Sequence, residues 1–327
     1  MRGAAAFALA VSASLLVLGP AWAQKSTTGL APGAQPAPAL APTPGSASTQ
    51  ARAPSAGPAA VGSKSAGKCD NPNALGVART VEIDTTGGPG FGFEHFRQLD
   101  FLRDHEVVLT FDDGPWPTTP TVLKALAAEC VKAVFFPIGK HATYYPEILR
   151  QVAAGGHTIG SHTWSHVDLS RSKTPEDAKA EIEKGVSAVK WALEDQGQAA
   201  PFFRFPALRH PPEMVTYLGQ RNIAIFSTDM DSFDFKMRKP DQVIKSVMAK
   251  LQKHGKGIVL LHDFQHATSE AVPQLLAELK AGGYKIVHMR PRTAVTSLPQ
   301  YDEELLKDAK LPTVSQRPVS SVVRDVE

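Results

Sequence analysis

The stretch VVLTFDDGPWP, residues 107–117, joins a strand-like run to two adjacent carboxylates. The run 107–110 has the length and apolar character of a buried strand. Asp112 and Asp113 follow it side by side, and a Gly-Pro pair then breaks the chain. Adjacent carboxylates at the end of a hydrophobic strand are costly, because each disfavours the ionisation of the other. The pair therefore needs a positively charged partner.

Beyond this stretch, short apolar runs alternate with segments of helical periodicity. The strand-like runs after 107–110 are AVFFPIG (133–139), HTIG (157–160), FFRF (202–205), IAIF (223–226), GIVLL (257–261) and YKIV (284–287). Helix starts are indicated between them at Thr119, Pro146, Thr174, Pro211 and Pro240, and a further helix over about 268–281. This alternation predicts an α/β fold in which helices cover a parallel sheet.

Side chains capable of chemistry follow five of the predicted strands. They are Asp112 and Asp113, the segment SHTWSH (161–166), Arg204 within FFRF, the segment STDMDSFD (227–234), and His262 with Asp263. In a closed barrel of parallel strands, the carboxyl ends of the strands share one face, and that face carries the site. The sequence therefore predicts a barrel with a site at its C-terminal strand ends.

The segment SHTWSH spaces His162 and His166 four residues apart, so that on a helical turn they share one face. The zincin pattern fails, because Thr163 stands where that pattern needs Glu. Two histidines and one aspartate would leave a position for water, whose pKa a catalytic zinc lowers to about 7. One aspartate of the pair could then ligate the cation, and the other could accept a proton from the water.

In combination and in order, the motifs TFDDGP, SHTWSH, RFP, DSFDF and LLHD resemble those of the polysaccharide deacetylases (carbohydrate esterase family 4, with the NodB-homology domain). The resemblance covers roughly residues 104–290. It implies a distorted (β/α) barrel with about seven parallel strands. It also implies a metal-dependent deacetylase.

The resemblance assigns a role to each motif. Asp113, His162 and His166 would hold the metal, with zinc as the default and cobalt, nickel or manganese as alternatives. The remaining roles are those of Asp112 as general base, Arg204 as the group that orients it, His262 as general acid, and Asp231 as the carboxylate that tunes His262.

Two positions depart from the family pattern, and both concern substrate contacts. Pro206 is followed by Ala207 where the family usually has tyrosine, although the backbone amide of Ala207 remains available to an oxyanion. Phe235 stands where the family usually has tryptophan. We also expect Trp164 and Leu261 to bound a pocket for the acetyl methyl group.

The function that follows is removal of N-acetyl groups from GlcNAc residues of an envelope polysaccharide, with peptidoglycan as the first expectation. Chitin-like oligomers or an exopolysaccharide are alternative substrates, and an O-acetyl esterase would use the same chemistry. A glycosidase with paired carboxylates such as Asp112 and Asp231, and a non-catalytic glycan-binding module, are the alternatives from other classes.

The ends of the 327-residue chain have compositions unlike that of a folded domain. Residues 1–23 have the pattern of a secretory signal peptide, with an uncleaved membrane anchor as the alternative. Residues 24–67 are rich in Ala and Pro and predict a disordered tether. The domain is expected over 68–296, followed by a C-terminal tail, 297–327, with one short helix near 302–309. These features predict an exported, periplasmic or secreted protein with no stable membrane span after cleavage.

Charge and cysteine content add two expectations. Four cations and no acid precede residue 68, and removing them from the formal net charge of +3 leaves −1 for the rest of the chain. A near-neutral body gives no indication of nucleic-acid binding. Cys69 and Cys130 would form a disulfide in an oxidising compartment, with two free buried thiols as the alternative.

Overall fold

The structure is a computed structural model, and it describes residues 69–307. The predicted signal peptide, the predicted tether and residues 308–327 of the predicted tail lie outside the described residues. No helix within 69–307 is both long enough and apolar enough to cross a membrane.

Ten strands and eight α-helices alternate along the described chain. The strands are β1 Arg79–Ile83, β2 Gly90–Phe91, β3 Glu106–Asp112, β4 Val134–Phe136, β5 Thr158–Ile159, β6 Phe202–Phe203, β7 Ala224–Phe226, β8 Met230–Asp231, β9 Gly257–His262 and β10 Lys285–Pro291. The helices are α1 Thr119–Ala128, α2 Gly139–Tyr144, α3 Pro146–Ala154, α4 Pro175–Leu193, α5 Pro212–Gln220, α6 Pro240–His254, α7 His266–Ala281 and α8 Pro299–Lys307.

Every strand pairing is parallel, and seven strands from β3 to β9 follow one another in chain order. β3 pairs with β4, β4 with β5, β6 with β7, and β8 with β9, which returns to β3. A single bridge between Ser161 and Phe203 connects the β5 side to the β6 side. β1, β2 and β10 add to this set at its edges. The predicted distorted barrel of parallel strands is confirmed.

The longest central strand shows why the fold is layered. All seven residues of β3 are buried, as expected for a parallel strand that is covered on both faces. Leu109 and Phe111 belong to the cluster that packs beneath the helices, whereas Val108 belongs to the cluster inside the barrel. Because side chains alternate along a strand, Asp112 points to the same side as Val108, toward the barrel interior.

Local sequence signals set several helix boundaries. The capping box predicted at Thr174 is present, because Thr174 Oγ1 accepts from the Asp177 N–H at 3.1 Å and Asp177 Oδ2 accepts from the Thr174 N–H at 3.1 Å. α6 ends at Gly255, whose φ of 77° is left-handed. α1 begins at Thr119, but its side chain does not cap the helix. The hydroxyl instead accepts from the Trp116 N–H at 2.9 Å and donates to buried Asp263.

The domain extends past the boundary expected at residue 296. α8, which lies in the predicted tail, packs against α4 through the buried side chain of Leu305. Ser297 Oγ accepts from Lys190 Nζ at 2.8 Å and donates to Asp302 Oδ2 at 2.7 Å. One buried leucine and a short polar network hold this segment, so it shows no extended apolar pattern in the sequence.

The predicted disulfide is present. Cys69 and Cys130 are bonded, with their Cα atoms 5.8 Å apart and a sequence separation of 61. The bond links Cys69, the first described residue, to Cys130, which lies just after α1. Cross-linking over such a span restricts the unfolded chain and thereby stabilises the fold.

Candidate metal centre and active site

Asp112 and His262 lie next to each other at the C-terminal ends of two paired strands. β3 ends at Asp112 and β9 ends at His262, and the two residues are direct partners in the parallel register. The site therefore forms at the predicted end of the barrel. The same register explains why two residues far apart in the sequence lie side by side.

Arg204 connects Asp112 by hydrogen bonds to other groups in the barrel interior. Its side chain is fully buried, and Nη1 donates to Asp112 Oδ1 and to Thr110 Oγ1, both at 2.7 Å. Its other nitrogens donate to the carbonyls of Phe226 and Ser227 at 3.1 and 2.9 Å. Every nitrogen of the guanidinium is thus paired, which is the condition under which a buried charge is tolerated.

Asp113, His162 and His166 form a compact group of potential ligands. Asp113 Oδ1 lies 3.5 Å from His162 Nε2 and 3.4 Å from His166 Nε2. One ligand atom from each residue lies within 4.8 Å of the others. His162 Nδ1 hydrogen-bonds the Arg204 carbonyl at 2.7 Å, which leaves Nε2 facing the group, an arrangement typical of metal-ligating histidines.

A divalent cation fits this group of side chains. Asp113 Oδ1 is buried and has no hydrogen-bond partner among the described residues, so the atom lacks compensation without a cation. Burial, reinforced by the neighbouring His166, lowers the pKa of His162 to about 3, which keeps its ring neutral and able to donate a lone pair. Two imidazoles and one carboxylate match the donor preference of zinc.

The two histidines do not meet on a helical turn, contrary to the sequence-based expectation. The segment 161–166 is irregular, and Thr163 and His166 have φ values of 67° and 60°. Two left-handed residues turn the chain back on itself, and this turn brings the rings together at a centroid distance of 5.0 Å. α4 packs closely against this loop at Gly185, where a Cβ would approach the Thr163 carbonyl carbon to 2.6 Å.

Strained backbone is concentrated at this end of the barrel. Asp113, Ala207 and Phe233 also have positive φ values, of 71°, 52° and 57°. Non-glycine residues in this region cost free energy and persist where the surroundings hold them. Gly114 permits a further close approach, because a Cβ there would lie 2.3 Å from Asp263 Oδ2. The loop after β3 is therefore closely packed against Asp263.

The carboxylate that contacts His262 is Asp234, and the prediction of Asp231 for this position was wrong. His262 Nδ1 lies 2.6 Å from Asp234 Oδ1, and the His262 N–H donates to Asp234 Oδ2 at 2.8 Å. Asp231 Oδ1 instead accepts from the Phe233 N–H at 2.8 Å. Asp231 ends β8, and a short 3₁₀ turn over Asp234–Lys236 is needed to bring a carboxylate beneath the imidazole.

Asp234 sets the charge of His262. Burial lowers the pKa of His262, but the hydrogen bond and the negative charge of Asp234, with the further charges of Asp113 and Asp112, outweigh burial and raise it to about 9. The His262 Nε2 atom lies 3.9 Å from Asp113 Oδ2. A protonated imidazole therefore stands beside the ligand group.

Two of the four residues expected to contact substrate, Phe235 and Ala207, are exposed. Phe235 is 47% exposed, and its ring centroid lies 5.7 Å from that of His262. Ala207 is exposed and follows Pro206 in a short turn, in a left-handed conformation. Both are placed where a polymer could reach them.

The expected acetyl-pocket roles of Trp164 and Leu261 were wrong. Trp164 is buried against Ala188 of α4 and Leu305 of α8. Leu261 is fully buried beneath the helices, because strand alternation directs it away from the side that its neighbour His262 occupies. Leu260, which pairs with Thr110, shares the side of His262 and is the leucine of this motif that faces the barrel interior.

His141 is a residue of this site that sequence reasoning missed. It lies in α2, a helix that the sequence pattern did not reveal, and its Nδ1 atom lies 2.6 Å from the backbone carbonyl of Asp113. Its ring also packs against Trp116 at a centroid distance of 4.9 Å. No sequence signal marked it, since only the packing of α2 brings it to the loop.

The sequence and structure are similar to those of known proteins. A sequence model described as polysaccharide deacetylase matches residues 102–225. The chain is 31% identical over 188 residues to a peptidoglycan-N-acetylglucosamine deacetylase of Listeria monocytogenes, covering 55% of this chain and 37% of that protein. It is 35% identical over 166 residues to a chitooligosaccharide deacetylase of a Bradyrhizobium strain, covering 50% of this chain and 73% of that protein.

Among solved structures, a peptidoglycan deacetylase of Bdellovibrio bacteriovorus superimposes with a TM-score of 0.59 and 34% identity, covering 66% of this chain and 59% of that chain. The chain thus spans little more than a third of the Listeria protein and just under three quarters of the Bradyrhizobium protein. The fold, the ordered motifs and these similarities agree. The chain belongs to the polysaccharide deacetylase family.

Proposed function

We propose that this protein is a metal-dependent hydrolase that removes N-acetyl groups from GlcNAc residues of an envelope polysaccharide, with peptidoglycan as the substrate. The observation that carries the proposal is the placement of the Asp113, His162 and His166 group directly beside the Asp112 and His262 pair. A cation site, a base and an acid then face one opening. A module that only binds glycan has no need of all three.

Asp113, His162 and His166 would hold the divalent cation, for which zinc is the first candidate and cobalt, nickel and manganese are alternatives. When bound, the cation supplies a positive charge that polarises an acetyl carbonyl and favours the ionisation of water. It would also compensate the buried Asp113 Oδ1 atom. The adjacent aspartates are then tolerable, because each has a cationic partner.

Asp112 would act as the general base toward the attacking water. Its Oδ1 atom is held by Arg204, while Oδ2 lies 3.9 Å from His162 Nε2 and faces the ligand group. Arg204 thus orients the carboxylate and leaves one oxygen for the proton.

His262 would act as the general acid toward the departing amine. Its pKa of about 9 keeps the ring protonated at neutral pH, and Asp234 occupies Nδ1, so that Nε2 carries the proton that faces the site. The positive charge of a bound cation would oppose part of this rise. The backbone N–H of Ala207 is the candidate donor to the tetrahedral oxyanion.

The relatives support a GlcNAc-containing polymer as the substrate, and one of them supports the choice of peptidoglycan. The Listeria protein is named for peptidoglycan and the Bradyrhizobium protein for chitooligosaccharides. An envelope polymer also agrees with the predicted signal peptide, 1–23, and the predicted tether, 24–67, which we propose deliver the domain outside the cytoplasm. The domain itself would begin near residue 68.

The experiment that tests this function measures acetate released by the purified protein. Purified peptidoglycan and soluble GlcNAc oligomers are compared, with a chelator and after zinc is added back. Release that the chelator abolishes and zinc restores supports the hydrolase. A protein that binds zinc and yet releases no acetate from either substrate would refute the proposal.

A further inference from the structure

Two exposed aromatic rings lie at the edge of the site beside His262. Phe233 and Phe235 are 41% and 47% exposed, and their ring centroids are 6.1 Å apart. Phe233 has a left-handed backbone, with φ 57°, which is unfavourable for a bulky residue. The left-handed backbone of Phe233 costs free energy, and the two rings leave apolar surface exposed to water. Neither feature contributes to the hydrophobic core.

Two lysine ammonium groups lie over these rings. Lys236 Nζ is 4.6 Å from the Phe233 centroid and 5.2 Å from that of Phe235. Lys250 Nζ is 4.4 Å from the Phe233 centroid and is fixed by the Asp231 carbonyl at 2.5 Å and by Ser246 Oγ at 3.2 Å. Ring faces attract cations, so the rings hold both charges near the mouth of the site. We call Phe233, Phe235, Lys236 and Lys250 the aromatic–lysine patch.

The carboxylates near the patch are already engaged. Asp234 accepts hydrogen bonds from His262 and Thr268, and the Asp231 carboxylate accepts from the Phe233 N–H. No ion pair joins Lys236 to an acid among residues 69–307. Arg238 and Lys239 follow it two and three residues later in the sequence. Lys236 therefore presents positive charge beside apolar ring surface without an ion-pair partner among the described residues, whereas the charge of Lys250 is partly offset by the nearby Asp231 carboxylate.

We propose that the aromatic–lysine patch binds the sugar next to the one that is deacetylated and selects glycans in which that neighbouring sugar carries a carboxylate. This inference rests on the proposed deacetylase function. An aromatic ring can pack against the C–H face of a pyranose, and an ammonium group can form an ion pair with a carboxylate. The Phe235 ring lies close to both Lys236 and His262, so the charge lies near the reacting sugar. A chitin-like oligomer offers no carboxylate there, whereas a muramic-acid-containing glycan offers one on the lactyl group where no peptide is attached and on the stem peptide where one is.

The test compares one polymer in two charge states. Insoluble peptidoglycan is used as isolated and after its carboxylates have been amidated, and the preference is the ratio of kcat/KM on the two forms. The Lys236→Gln variant should lower this ratio about fivefold, the effect of one exposed charge pair, through KM rather than kcat. The matched control is Lys245→Gln, an exposed lysine of α6, which should leave the ratio unchanged.

A wild-type ratio of one, or a ratio that Lys236→Gln does not lower, would overturn the inference. Sedimentation of the full chain with the two polymers measures the same preference without catalysis. Selective binding without acetate release would refute the proposed function and leave the patch assignment standing. Acetate release without selectivity would support the proposed function and refute the patch assignment. A third substrate is glycan strands freed of their stem peptides, which keep the lactyl carboxylate. Selectivity that persists on these strands assigns the charge to the lactyl group, and selectivity that is lost on them assigns it to the peptide.

Discussion

His262 Nδ1 lies 2.6 Å from Asp234 Oδ1, and the backbone N–H of His262 donates to the second oxygen of the same carboxylate at 2.8 Å. Asp234 is itself buried and also accepts from Thr268 Oγ1 at 2.6 Å. Burial raises the pKa of Asp234, but these hydrogen bonds and the charge of His262 outweigh burial and lower it. The imidazole is thus held in one orientation by an ionised partner.

We expect Asp234→Asn to lower kcat/KM by about 100-fold, the lower range for loss of a positioned general acid. Without the carboxylate the pKa of His262 falls, so the acid loses its proton at lower pH. The alkaline limb of the kcat/KM profile should therefore move toward neutral pH. Bound zinc should be unchanged, and this is measured in the same samples.

Asp231→Asn is the control for that variant. Asp231 does not contact His262, so its replacement should leave the alkaline limb where it is in the wild type. If Asp231→Asn moved the limb and Asp234→Asn did not, the assignment of the histidine partner would be wrong.

Replacement of the base and replacement of a ligand should separate chemistry from metal binding. We expect Asp112→Asn to retain zinc and to lose turnover by about 100-fold or more. His166→Ala should lose zinc affinity, because only two ligands remain. Atomic absorption after dialysis and acetate release measure the two properties. Near-full activity of Asp112→Asn would contradict its role as base.

Arg204→Met should destabilise the fold by about 3–5 kcal/mol, because it leaves the buried Asp112 without its cationic partner. The free energy of unfolding, from chemical denaturation, measures the effect. The double variant Arg204→Met with Asp112→Asn should recover part of the loss. As a matched control, Arg209→Met removes an exposed ion pair with Asp168 and should cost less than about 1 kcal/mol.

Two buried histidines away from the site should make the fold sensitive to acid. Burial lowers the pKa of His157 to about 3 and that of His288 to about 4. In the unfolded chain these groups bind protons near pH 6.5, so the folded state binds fewer protons between these values, and stability falls as pH falls.

The limiting slope for one such histidine is about 1.4 kcal/mol per pH unit below pH 6.5. We expect His157→Asn, whose amide oxygen can still accept from the Ala133 N–H, to make the stability curve flatter between pH 6 and about 4. Denaturation midpoints measured across this range test it. A slope identical to that of the wild type would show that His157 does not titrate on unfolding.

Much of the fold could be read from local signals. The buried run of β3, the capping box at Thr174 and the glycine that ends α6 are local in the sequence, and each is found where the pattern indicates. The short elements α2 and β8 were missed. A helix of six residues and a strand of two have no period long enough to detect, and they form because neighbouring elements position them.

The alternating α/β layout and the residue types at the strand ends follow from local sequence patterns, because strand and helix periods are properties of neighbouring residues. The contacts within the site, in contrast, depend on how the strands and loops pack in three dimensions. This packing placed Asp234 rather than Asp231 on His262, turned Leu261 away from the opening, and joined His162 to His166 through left-handed turns. These outcomes depend on strand register, on short turns and on strained backbone that distant packing holds in place. Such long-range constraints produce no periodic pattern of residues in the sequence.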